Sequence, residues 1–302
     1  MAGSGPDGAS VSIVVPVHDG ASTLGVQLDA VAREVADRND VEVVVADHAS
    51  TDDSAHVATS RAAQLPLVVV SVPGGGGPAR ARNHGVRAAT GALILMVDAD
   101  DRVQPGWLEA MLDGLATAKV VGGRLDTDCD LNVAGSAGAR TVQRAALPRF
   151  LDVPFSLTAS IGFHKSAWEA VGGFDETFFV GEDCDFGLRL ARAGIGTDFV
   201  PGAVVDYRIR ATLGAAARQG FEAGMAEYLL YRRFGTSADF SDWFGRAVKE
   251  VVLAALSFVR RLVVRRGPQW QRAAAGRRLG RAVGRIAGTV KLRGAAKDDV
   301  GS

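Results

Sequence analysis

Cysteine is scarce in this chain of 302 residues: Cys129 and Cys184 are the whole complement. Two unpatterned thiols exclude a disulfide framework and a cysteine-built zinc site, and they point to a reducing, cytoplasmic setting. Long apolar runs are missing too. The longest in the C-terminal part, Val251 to Val259, is closed off by Glu250 and Arg260. That is about half of the roughly 20 residues that span a bilayer. Residues 1–10 have neither the basic nor the apolar segment of a signal peptide. They read as a flexible terminus, as do residues 298–302. Net charge is absent as well, with 34 basic and 34 acidic residues, but the balance hides an asymmetry. From Arg246 to Lys297 there are 14 Lys or Arg and one acid, Glu250. An acidic body therefore carries a basic tail.

What is present suits a globular protein: 47% apolar and 23% charged residues, in a chain long enough for one large domain, or one domain with an appendage. Val11–Val17, Val41–Ala46, Leu67–Val72 and Ala92–Val97 are dense in Val, Ile and Leu without polar alternation. Such runs predict strands buried on both faces of a parallel sheet. Between them, Ser22–Asp37, Asp53–Gln64 and Pro78–Ala89 predict helices, with Ser22 and Asp53 as N-caps. Strand–helix alternation means a doubly wound α/β layer structure, in which ligands gather at the carboxyl ends of the strands. Those ends are polar: His18-Asp19, Asp47-His48 and Asp98-Ala99-Asp100-Asp101. Carboxylates converging there would repel one another unless a cation or ligand donors relieved them. In Asp-x-Asp at a strand end both side chains share one side, so one can bind a divalent metal while the other reaches a sugar or ribose hydroxyl. Helix capping is the plainer alternative, because Gln104-Pro105-Gly106-Trp107 opens a helix shortly afterwards. Farther on, Gly172-Gly173-Phe174-Asp175-Glu176 reads as a turn and Gly181-Glu182-Asp183-Cys184-Asp185 as a helix start, where acids are favoured by the dipole.

Taken in order, these segments resemble the GT-A glycosyltransferases of family 2, from about Val11 to about Arg210. The resemblance rests on Ser12-Ile13-Val14-Val15-Pro16-Val17-His18-Asp19, Asp47-His48-Ala49-Ser50-Thr51-Asp52, Ala81-Arg82-Asn83-His84-Gly85, Asp98-Ala99-Asp100, and the Gly172–Glu176 turn followed by Glu182-Asp183. It implies a GT-A fold, α/β with a Rossmann-like, mostly parallel central sheet flanked by helices. It also implies sugar transfer from a nucleotide-diphosphate donor, a UDP-sugar favoured, to a glycan or lipid-linked acceptor, aided by Mn²⁺ or Mg²⁺. Pro16, His18, Asp47, Arg82 and Asp98 would bind the nucleotide sugar, with His18 in place of the usual base-stacking aromatic and Arg82 near the diphosphate. Asp100 and Asp98 would hold the metal. Asp183 would be the base of an inverting displacement, with Glu182, His164 and Trp168 on the acceptor side. Departures from the pattern include His164-Lys165 and Ser160, where two Arg and an Asn are frequent. Where many members place a metal-side His, Val204-Val205-Asp206-Tyr207-Arg208 offers none, so an equivalent ligand would be Asp206 or be absent.

Other motifs imitate sites. Gly74-Gly75-Gly76-Gly77 lacks the spacing of either nucleotide-binding glycine motif and reads as a flexible loop beside the nucleotide. Asp126-Thr127-Asp128-Cys129-Asp130 starts like a calcium loop, but Leu131 and Ala137 stand where Gly and Glu are required, so it reads as a solvated turn. A nucleotidyltransferase would show a basic Gly-rich motif after the first strand, where this chain has His18-Asp19. A non-catalytic nucleotide-sugar-binding protein would have no need of both Asp100 and Asp183.

The expected organisation is a catalytic domain over residues 11–235, with halves at 11–125 (donor) and 126–235 (acceptor), then a basic helical tail at 236–297. In the tail Val248, Val251, Val252, Ala255, Leu256, Val259, Leu262 and Val263 repeat at helical spacing. After Gly267-Pro268, Leu279, Val283, Ile286 and Val290 mark one face and Arg278, Arg281 and Arg285 another. Such a helix can lie on the inner face of an anionic membrane, pack on the domain, or pair with another chain. With few aromatics among its charges, Trp270 included, it does not read as a nucleic-acid binder.

Overall fold

Branching at Cβ suits an extended backbone packed on both faces, and the Val- and Ile-rich runs form strands accordingly. In the computed structural model β1 (Val11–Val17), β2 (Val41–His48), β3 (Leu67–Val72) and β4 (Leu93–Met96) alternate with α1 (Ala21–Val35), α2 (Ser54–Thr59) and α3 (Pro78–Ala88). The structure describes residues 10–132, 143–209, 212–236, 245, 249 and 275–288. Residues 1–9 and 298–302, Ala137, the apolar repeat from Val248 to Val263, Gly267-Pro268, Trp270 and Val290 lie outside them.

The chain forms two units. The first contains every described strand and α1 to α6. After β4 come β5 (Arg102–Val103), α4 (Trp107–Leu115), β6 (Val120–Asp126), a short hairpin of β7 (Arg149–Phe150) and β8 (Val153–Pro154), β9 (Ile161–His164), α5 (Lys165–Ala170), α6 (Glu182–Arg192) and β10 (Asp198–Asp206). Eight strands make one sheet in the order β3-β2-β1-β4-β9-β6-β10-β5. β3, β2, β1 and β4 run parallel, as do β6 and β10, while β9 is inserted antiparallel between β4 and β6. Alternate residues of each strand feed two cores. Ile13, Val15, Val43, Val45 and Leu95 pack with α1 and α4, whereas Val14, Val44, Ile94 and Met96 pack with α3, α5 and α6. Both faces are covered, so continuous apolar strands are what this sheet requires.

The helix starts differ from expectation. Gly20, not Ser22, is the N-cap of α1, because Asp19 turns the chain early with φ of 48°. Asp53 occupies the N-cap of α2 but its side chain caps nothing. Asp52 caps both helices instead: Oδ2 accepts the Ala21 N–H at 2.9 Å and Oδ1 the Ser54 N–H at 3.0 Å. Hydrogen bonds from the Ser54 hydroxyl and the Ala21 N–H hold its carboxyl below the usual range. α2 stops at Thr59, and residues 60–64 continue in i→i+3 turns rather than α-helix.

The second unit begins at Ile209 and includes short segments at Asn132 and Phe179–Gly181. It contains α7 (Leu213–Phe234) and α8 (residues 275–288). These helices meet backbone to backbone through glycine. A Cβ on Gly224 would lie 2.1 Å from the Arg281 carbonyl oxygen, one on Gly280 2.0 Å from that of Ala217, and one on Gly284 2.1 Å from that of Phe221. Glu227 closes the pair, accepting from Arg281 Nε and Arg285 Nε at 2.6 Å each. The contact stripe of α8 is therefore its glycines, while Val283 of the expected apolar face stays 44% exposed. Among the described residues no helix is long and apolar enough to cross a membrane.

Gly280→Ala should lower the unfolding free energy by about 1–3 kcal/mol, because backbone oxygen cannot yield to the new methyl. Gly214→Ala is the control, since nothing lies within 4 Å of its Cβ position; the change there should be neutral or stabilising. Urea denaturation of the two variants separates these outcomes, and equal midpoints would refute the glycine contact.

Candidate active site

The loop leaving β4 carries three acids. Asp98, Asp100 and Asp101 each place a carboxylate oxygen within 4.8 Å of the others. Gln27, buried on α1, clamps this loop from both ends: its Nε2 donates to the Asp98 carbonyl and its Oε1 accepts the Val103 N–H, both at 3.0 Å. Arg208, just beyond β10, donates its backbone N–H to Asp101 Oδ1 at 2.7 Å and Nε–H to the Asp100 carbonyl at 2.9 Å. Burial, and then the neighbouring Asp98 and Asp100 charges, push Asp101 well above the usual carboxylate range. Its Oδ2 is buried with no hydrogen-bond partner. Capping does not account for this cluster. α4 begins beyond Gly106, and its first N–H groups go to Glu34, with Gly106 N at 3.0 Å and Leu108 N at 2.9 Å. Three crowded carboxylates and an orphaned buried oxygen are a donor set that suits a hard divalent cation.

Opposite lies a second acidic pair, tied to the first by arginine. Gly85 lets α3 press on β1, since a Cβ there would meet Val14 Cγ1 at 2.4 Å. Arg82, buried one turn earlier, gives Nη2 to Asp98 Oδ1 at 3.0 Å and Nη1 to Glu182. Desolvation opposes its charge, but the Glu182 and Asp98 carboxylates outweigh that and raise its pKa. Asn83 fastens the same helix to the Gly172–Glu176 turn. Its Nδ2 donates to the Phe174 carbonyl (2.8 Å) and Glu176 (2.9 Å), and its Oδ1 accepts from Phe174 N (2.9 Å) and Trp168 Nε1 (3.3 Å). Gly172 and Gly173 take the positive φ values, 73° and 77°, that the turn demands. This bracing leads into α6, whose first two residues are Glu182 and Asp183. Burial first, and the Glu182 charge second, push Asp183 up to about 7. Its Oδ1 accepts the Cys184 N–H at 2.7 Å.

At the ends of β1 and β2, His18 Nδ1 lies 2.7 Å from the His48 carbonyl, and the two rings are 5.8 Å apart. His48 Nε2 lies 3.0 Å from the Gly75 carbonyl, which tethers the tetraglycine loop. Asp47 Oδ1 accepts the Ser50 N–H at 3.2 Å, and Pro16 sits in β1 opposite Ala46.

Three residues singled out in the sequence have other surroundings in the structure. His164 is at the wrong end: β9 runs antiparallel to β4, so His164 pairs with Leu93 at the start of the strand that ends before Asp98. Its Nε2 lies 3.1 Å from the Leu115 carbonyl, and Lys165 Nζ donates to that of Ala89. Trp168 is buried in the core with Phe163, Phe174 and Phe186, its N–H taken by Asn83. Asp206, one of the two alternatives left for a metal-side ligand, is not among the clustered carboxylates, and both its oxygens accept from Arg102 (2.8 and 2.6 Å) and Gln104 (2.6 Å). Gln27, Glu34 and Arg208 carry no sequence signal for these roles, whereas Asp101 is legible as one of the acids that follow β4.

The family model for glycosyl transferase family 2 matches residues 12–168, more than half the chain. This chain belongs to glycosyltransferase family 2. A related description, glycosyl transferase family group 2, matches residues 93–246. The pre-mycofactocin glycosyltransferase of Mycobacterium tuberculosis is 32% identical over 251 residues, covering 76% of this chain and 49% of the relative. The succinoglycan biosynthesis protein ExoU of Rhizobium meliloti is 34% identical over 209 residues, 61% of this chain and 57% of that one. The chain thus spans about half the length of these curated relatives. Among solved structures, the Pyrobaculum calidifontis mannosyltransferase PcManGT in complex with GDP-Man and Mn²⁺ shares the fold with a TM-score of 0.65. It is 20% identical, and the match covers 94% of this chain and 89% of that one. The fold is GT-A.

Proposed function

We propose that this enzyme is an inverting glycosyltransferase that moves a sugar from a nucleotide-diphosphate donor, a UDP-sugar favoured, to a hydroxyl of a glycan or lipid-linked acceptor. One observation carries this reading: the Asp98–Asp100–Asp101 cluster and the Glu182–Asp183 pair are bridged by buried Arg82. Asp98 and Asp100 would hold Mn²⁺ or Mg²⁺, which when bound supplies charge stabilisation for the leaving diphosphate. Asp183 takes the proton of the attacking hydroxyl. With a single base opposite the donor, displacement inverts the anomeric carbon. Glu182, held by Arg82, orients the acceptor side. His18, Asp47 and Pro16 border the nucleoside, beside the tethered glycine loop. Residues 11–235 would form the catalytic domain, with donor contacts in 11–125 and acceptor contacts in 126–235.

Cell-envelope or exopolysaccharide synthesis at the cytoplasmic face of a membrane is the setting proposed. It draws on the glycan-building roles for which the relatives are named and on the charge of the C-terminal part. α7 and α8 carry seven arginines against two glutamates, with Phe221, Leu229 and Val283 exposed. That combination suits an anionic lipid surface, and co-sedimentation with anionic but not neutral vesicles tests it.

The activity is tested by nucleotide release from UDP-, GDP- and dTDP-sugars with Mn²⁺ or Mg²⁺. Slow release from one donor, abolished by EDTA, is expected. No release and no binding for any donor would overturn the reading.

A further inference from the structure

We infer that Arg208 is the cation that grips the donor's diphosphate, an assignment that rests on the donor reading above. The resemblance gave that role to Arg82, but both terminal nitrogens of Arg82 are spent on Asp98 and Glu182 in the protein interior. Arg102, next along the acidic loop, is spent on Asp206 and Asp130. Arg208 differs from both. It is partly exposed, and it is fastened to the acidic loop itself through the Asp100 carbonyl and Asp101 Oδ1. Its Nη1 lies 3.4 Å from the Leu131 carbonyl, which steadies the guanidinium from the other side.

The charge count calls for such a group. The charge of Arg82 is offset by Glu182, and one divalent cation does not balance three carboxylates together with a diphosphate, so a further cation at the cluster would stabilise the leaving group. A guanidinium presents a planar fork of donors that matches phosphate oxygens, and its charge does not depend on pH in the working range. Arg208 lies just beyond β10, where the chain leaves the sheet beside the acidic loop.

Calorimetric titration with UDP, GDP, UMP and GMP in Mn²⁺ tests the assignment on wild type, Arg208→Ala and Arg208→Lys. Arg208→Ala should weaken the preferred nucleoside diphosphate about 10- to 100-fold, the size of a lost charge-assisted contact. The matching monophosphate should change far less. Lysine should restore part of the loss, since charge returns without the fork. Unchanged diphosphate affinity in Arg208→Ala would overturn the inference. So would an equal loss for both nucleotides accompanied by a lower melting temperature, which would make Arg208 a fastener of the loop. If the wild type binds no nucleoside diphosphate, the donor reading itself fails, and the assignment falls with it.

Discussion

Asp183→Asn should lower turnover by about 10²–10⁴-fold, the usual contribution of a positioned general base, while leaving donor binding intact. The pH profile should carry the same signature. Burial and the Glu182 charge push Asp183 up to about 7, and only the ionised form can accept a proton. Turnover should therefore rise with pH through about 7 and fall roughly tenfold per unit on the acid side. The raised pKa has a stability counterpart. Ionising this buried carboxyl costs the folded state more than the unfolded one, so stability is fully present below the ordinary carboxylate pKa and declines as pH rises towards 7. Asn removes that cost. The variant should then match wild type in melting temperature at low pH and exceed it at pH 8. An inactive variant that melts earlier at pH 8 would mean that the negative charge is needed to hold Arg82, and that Asp183 is structural.

The second large effect concerns the metal. Asp100→Ala should weaken divalent-cation-dependent donor binding on the order of a hundredfold or more, since even groups that only orient metal ligands cost 10–100-fold. The fold should survive. Asp100 is exposed, and removing one of three crowded carboxylates relieves repulsion in the metal-free protein. Thermal shift shows both sides at once: the variant should melt no earlier than wild type alone, yet gain nothing when Mn²⁺ and nucleotide are added. A variant that is stabilised as much as wild type would remove Asp100 from the metal site.

The strands were legible because Val- and Ile-rich runs buried on both faces leave a local mark. Asp98, Asp100, Arg82 and Asp183 were legible as residues of a motif. What they touch was not. Arg82 stands in the motif whose resemblance suggests a diphosphate contact, yet its neighbours in space, Asp98 and Glu182, lie 16 and 100 positions away. His164 reads as an acceptor-side residue because nothing local reveals that β9 enters the sheet antiparallel. That one reversal carries it to the far end of β4. Gln27 and Glu34 look like ordinary polar residues of an amphipathic helix, although one clamps the acidic loop and the other caps α4. In the tail the apolar face drew attention, while helix packing fell to glycines, which contribute to no hydrophobic pattern.

If Asp98, Asp100 and Asp101 hold a divalent cation together with the donor's diphosphate, cation and nucleotide must bind interdependently. Electron paramagnetic resonance of free Mn²⁺, titrated with protein in the presence and absence of UDP or GDP, reads this directly. The predicted result is that one nucleoside diphosphate tightens Mn²⁺ binding in wild type and has no effect in an Asp98→Ala, Asp100→Ala double variant. Equal Mn²⁺ binding by both proteins, or nucleotide binding that persists in EDTA, would contradict the site.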